Sequence, residues 1–134
     1  MNARQLVAAV QSAVFVGTGI WPVVSPRSFQ AVTGPKRDMW LAQTIGLLIA
    51  AVGATLAIGA RGRARSESTF LGISSATALA LCDIVFVSKG RISRVYLLDA
   101  LFETGIVAGW LLTARLPQGH SIPRAPALLT SGDE

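Results

Sequence analysis

Four long apolar runs, separated by short polar stretches, organise this chain. They cover about residues 6–24, 40–60, 70–87 and 95–114. Each is about 18 to 21 residues long, the length a helix needs to cross a hydrocarbon core ~30 Å thick. The runs lack the strict alternation of strands and are too long for them. The pattern predicts an all-α membrane protein, a four-transmembrane-helix antiparallel bundle over residues 1–115. The Pro-rich segment 116–134, with Pro117, Pro123 and Pro126, is expected to be a disordered tail.

Aromatic residues fall near the run ends, as in the belts of membrane helices. Trp21, Trp40 and Tyr96 are expected at one interface, side B, and Phe70 and Trp110 toward the other, side A. Between the first two runs, Ser25-Pro26 reads as a helix N-cap followed by Pro at the first helical position. Phe29 and Val32 then fall on one face, and Gly34-Pro35 ends a short interfacial helix. No small-x-small cleavage site follows the first run cleanly, so it is read as a span and not a removed signal.

Composition agrees with the pattern. Of the 134 residues, 51% are hydrophobic and 14% charged, and the mean hydropathy is +0.54. The net charge of +5 does not point to nucleic acid, because Lys and Arg lie between the apolar runs with no basic stripe of interleaved aromatics. Their distribution gives no orientation. Side A holds Arg4, Arg61, Arg63, Arg65, Arg115 and Arg124, and side B holds Arg27, Lys36, Arg37, Lys89, Arg91 and Arg94.

Small residues mark where helices could approach one another, since lipid offers no hydrophobic drive for association. The stripes are Ala9, Ala13 and Gly17; Gly46, Ala50, Gly53 and Ala57; Gly72, Ala76 and Ala80; and the pair Gly105 and Gly109. That last pair could also serve a homodimer. Gln11 is expected to bond between helices.

The candidate chemistry lies in three acids inside the spans: Asp83, Asp99 and Glu103. An Asp at a helix centre raises the insertion free energy by roughly 2.5 to 3.5 kcal/mol, so it turns to the bundle interior and marks a functional site by default. At about 1.5 Å per residue, Asp83 and Asp99 lie roughly 7 Å inside side B, facing each other across a helical hairpin. Glu103 is a turn deeper, on one face with Asp99 and Tyr96, a face that Ile106 and Trp110 continue. Gly105 and Gly109 lie opposite. Gln43, Thr44 and Thr18 add polar groups toward the same side, and Lys89, Arg91 and Arg94 would rim the opening. The acids can be read as a proton or ligand site, with Glu103, Asp99, Asp83, Gln43 and Tyr96 as its residues. They can also be read as a buried cluster that locks the third and fourth spans together.

Other chemistry finds little support. Cys82 is a lone cysteine within a span, and the single histidine, His120, lies in the tail, so neither a disulfide nor an N/S zinc site is expected. No phosphate-binding loop, hydrolase elbow or dinucleotide fingerprint occurs, and no cofactor is expected. The stretch from Trp21 to Ala60 resembles small bacterial membrane proteins of the DoxX-like kind. The residues that carry the likeness are Trp21-Pro22, Pro26, Phe29, Gly34, Gly46 and Gly53. The resemblance implies a bacterial cytoplasmic-membrane protein, sometimes associated with quinone-linked redox enzymes, and no functional residue is carried over from it. The expected function is that of a non-enzymatic ligand-binding or accessory subunit in lipid. A small proton-coupled transporter and a membrane subunit of a redox complex are the alternatives.

Overall fold

A computed structural model describes residues 1–62 and 65–115. The expected tail and the Arg63-Ala64 part of the basic turn lie outside the described residues. Five helices follow one another: α1 (Ala3–Val24), α2 (Pro26–Thr33), α3 (Met39–Ala60), α4 (Arg65–Ser88) and α5 (Tyr96–Arg115). Four of them, α1, α3, α4 and α5, are long and apolar enough to cross a membrane. The chain is a multi-pass membrane protein whose spans form an antiparallel bundle.

Local signals set the helix ends. Asn2 opens α1 with a reciprocal capping box. Gln5 N–H donates to Asn2 Oδ1 and Asn2 N–H donates to Gln5 Oε1, each at 2.9 Å. Helix α4 starts at Arg65 rather than near residue 70, because the polar Ser66-Glu67-Ser68 stretch is helical although too polar to register as apolar. It closes in a Schellman motif: Gly90, at φ 64°, donates to Val87 O at 2.9 Å, and Arg91 N–H donates to Phe86 O at 2.9 Å. This tight stop turns the chain back into α5.

The closest pairing is α1 with α3, followed by α4 with α5. In the first pair the backbones touch through glycine. A Cβ placed on Gly19 would collide with Gly46 O, and one on Gly46 with Gly19 O. Two turns away along α3, a Cβ on Gly53 would lie 2.9 Å from Phe15 Cβ. The small-residue stripes foreseen on α3 and α4 therefore do face inward. The stripe foreseen on α1 does not. Ala13 and Gly17 are exposed, and the packed face runs through Ala8, Gln11, Ser12, Phe15, Gly19 and Pro22. Nothing in the hydropathy of a helix surrounded by lipid separates these two faces; the fit of Gly19 against Gly46 does.

Two further placements differ from expectation. Trp110 is not a belt residue but is 1% exposed, packed with Ala8, Leu56, Ala76 and Ile106. The indole fits because Gly72 leaves room for it: a Cβ there would lie 2.5 Å from Trp110 Nε1. In α2 it is Phe29, Gln30 and Thr33 that turn inward, while Val32 is exposed. The reason is Trp21, whose ring meets Phe29 edge-to-face at 5.6 Å and whose Nε1 donates to Ser28 Oγ at 2.8 Å. These contacts fold α2 back against the end of α1.

Candidate functional site

The interior between side B and the bundle middle is built by α4 and α5. Because Gly90 closes α4 sharply, Asp83 returns to face Asp99 across the hairpin, and the two carboxyl groups interact side chain to side chain. On α5 the inward face runs through Asp99, half-buried, and then Glu103, Ile106, Trp110 and Thr113, all buried. Glu103 is 1% exposed and Asp83 is 7% exposed. Glu103 Oε2 and Asp83 Oδ2 are buried with no hydrogen-bond partner. Glu103 feels the field of Asp99 more strongly than that of Asp83. Among the described residues, no group of three or more His, Cys, Asp or Glu is disposed to hold a metal ion.

Tyr96 caps this acidic column toward side B. It is half-buried, interacts with the Thr33 side chain, and lies in the field of Asp83 and Asp99. Lys36 lies over it. The Lys36 Nζ is 5.1 Å from the centre of the Tyr96 ring and 6.0 Å from that of Phe29, and it donates to Thr33 O at 2.9 Å. The backbone brings it there in two steps. Gly34 ends α2 at φ 87°, a conformation that favours glycine, beside Ser93 of the α4–α5 turn. Lys36 N–H then donates back to Gln30 Oε1 at 3.0 Å. Burial against this surface pushes the Lys36 ammonium below its ordinary value of 10.5.

Of the foreseen site residues, Asp83, Asp99, Glu103 and Tyr96 come together. Gln43 is placed elsewhere: its Nε2 donates to Pro22 O at 3.3 Å, between α3 and α1. Thr18 and Thr44 are exposed, and each hydroxyl donates to its own helix, to Val14 O at 2.7 Å and Trp40 O at 2.9 Å. A threonine that closes on its i−4 carbonyl needs no partner in the bundle, so it is tolerated facing lipid. Lys89, Arg91 and Arg94 are exposed, and the cation seated against the site is Lys36 from the other connection. Sequence reasoning missed Lys36 and Thr33. The Gly34-Pro35 turn directly before Lys36 was the available signal, because it redirects the chain there.

A second polar group lies deeper toward side A. Gln11 bridges α1 to α4 and α5: its Nε2 donates to Gly72 O at 3.0 Å, and Trp110 Nε1 donates to its Oε1 at 2.8 Å. Gln11 does bond between helices, as expected. A small cavity on side A is lined by Arg4, Gln5, Ser68 and Trp110 among others. No family model matches this chain, nor does any curated protein or solved structure.

Proposed function

We propose that this protein is a non-enzymatic ligand-binding membrane protein, whose site is the acidic column of Asp83, Asp99 and Glu103 beneath Tyr96. One observation carries this reading: Glu103, in the bundle interior, has a carboxyl oxygen buried without any hydrogen-bond partner. A buried polar group left unsatisfied costs about 1 to 3 kcal/mol, more if it is charged. A ligand that brings positive charge or hydrogen-bond donors would offset that cost. The reading as a purely structural lock is less favoured, because a lock would satisfy its own members, as the Gln11–Trp110 group does.

The test is calorimetric. Wild type and Glu103→Gln in detergent micelles are titrated with potassium, guanidinium and butylammonium chlorides. Saturable binding of at least one cation that disappears in Glu103→Gln supports the proposal. No binding by any of them to the wild type overturns it.

The stacking of Tyr96, Asp99 and Glu103 along one face of α5 favours a second reading, proton-coupled transport. In proteoliposomes, uptake driven by a pH gradient that is lost in Glu103→Gln and kept in Asp133→Asn would support it. Residence in a bacterial cytoplasmic membrane rests on the DoxX-like resemblance alone. For a homodimer through Gly105 and Gly109, only Gly105 offers an open face, its Cβ position meeting nothing within 4 Å, while that of Gly109 faces Val7 of α1 at 3.3 Å. Crosslinking in membranes tests it.

A further inference from the structure

The seat of Lys36 says what kind of ligand the acidic column takes. Its ammonium lies against two aromatic rings, Tyr96 and Phe29, and one carbonyl oxygen, Thr33 O. Aromatic faces with a hydrogen-bond acceptor are the ordinary chemistry for holding an organic ammonium. The seat is directly outside the acids, since Tyr96 forms its floor and is also the first member of the column. Yet Lys36 does not neutralise the column: its ammonium donates to Thr33 O, and the buried oxygens of Asp83 and Glu103 keep no partner. A column of three acids, two of them more than nine-tenths buried, thus lies beneath a seat that holds a tethered ammonium.

We propose that the ligand is an organic ammonium compound, an amine carried on an apolar chain, and that Lys36 is a built-in competitor that must leave the Tyr96–Phe29 seat for it to enter. This inference rests on the reading of the acidic column as a ligand site. A compact metal ion suits the column poorly, because the acids are not disposed to chelate one among the described residues. The unsubstituted guanidinium ion carries no apolar chain for the surrounding lipid and the rings Phe29 and Tyr96 to cover. Because Lys36 is tethered to its seat, its effective concentration there is on the order of millimolar or more. An external amine therefore binds more weakly than the site itself would allow.

The experiment adds Lys36→Met to the calorimetric titration. Butylammonium should bind wild type, bind Lys36→Met at least about tenfold more tightly, and not bind Glu103→Gln; 1-butanol should bind none of them. A Lys36→Met affinity equal to or weaker than wild type overturns the competitor role. A second readout needs no variant. The chain has two lysines, Lys36 and Lys89, and with its Nζ 5.1 Å from the centre of the Tyr96 ring the adjoining ε-methylene of Lys36 should carry a ring-current shift. Saturating butylammonium should move that resonance toward the value of a free lysine, and a resonance that stays in place while butylammonium binds overturns the proposal. Potassium binding that depends on Glu103, with no butylammonium binding, leaves the acidic site standing and removes the amine. Guanidinium binding alone likewise removes the amine, and if none of the three cations binds, the acidic site falls as well.

Discussion

Two polar groups inside the same bundle are treated in opposite ways. Toward side A, Gln11 is fully buried, and both ends of its amide are used, by Gly72 and Trp110. Toward side B, Glu103 is as deeply buried, but its Oε2 has no partner. The first group crosses helices far apart in sequence and holds α1, α4 and α5 in register. The second sits mainly on one hairpin and joins nothing through Glu103 Oε2. Buried polar groups that serve stability are satisfied within the protein, and an exception inside a membrane calls for another role. The contrast between Gln11 and Glu103 therefore separates what holds the fold from what the fold holds.

Substitutions can break this contrast. The largest effect is expected from Gly72→Ala, whose Cβ would press on the Trp110 indole between packed helices. It should destabilise the bundle by about 2 to 3 kcal/mol, read as the shift in the unfolding midpoint in mixed micelles. Gly105→Ala, where the space is open, should stay within about 0.5 kcal/mol of wild type. Equal losses at the two positions would mean that both faces of α5 are packed.

Gln11→Leu should come next, at about 1 to 2 kcal/mol, since it strands Trp110 Nε1 in a low-dielectric interior, while Gly72 O keeps Ser75 Oγ as a donor. Trp110 fluorescence should shift on the same substitution. Glu103→Gln should by contrast be neutral or stabilising, by less than about 1 kcal/mol, because it leaves Oε2 without a bond to lose and relieves the burial of an acid. A loss as large as that of Gln11→Leu would make Glu103 a structural residue and remove the contrast.

The smallest effect concerns Lys36. With its ammonium pushed below 10.5 by burial, the folded protein holds this proton less tightly than the unfolded chain does. Stability should then rise slightly with pH in the window just below 10.5 and level off above it. The gain is small because the side chain is mostly in water. An NMR titration of Lys36 with a midpoint at or above 10.5 would contradict its desolvation against Tyr96.

Much of this architecture is legible in the order of residues alone. The four spans follow from run length, and α2 from Ser25-Pro26 and Gly34. The shared face of Tyr96, Asp99 and Glu103 follows from helical spacing, because residues three and four apart must lie on one side of a helix. The pairing of Asp83 with Asp99 follows from the short turn between them. The burial of Trp110 is not legible in the same way. An indole five residues from a helix end satisfies the belt pattern equally well, and only the gap left by Gly72 on another helix draws it inward.

Run length and helical spacing were enough to find four helices long and apolar enough to cross a bilayer and the residues of α5 that stand together, since hydropathy and helical period are local properties. Packing of the helices against one another set which face of α1 meets α3, turned Gln43 to Pro22 and away from the acids, and laid Lys36 over the site. In lipid every apolar face of a helix is equally well solvated, so hydropathy does not choose among rotations about its axis. Steric fit between backbones, as at Gly19 and Gly46, makes that choice, and it exists only once two helices are side by side.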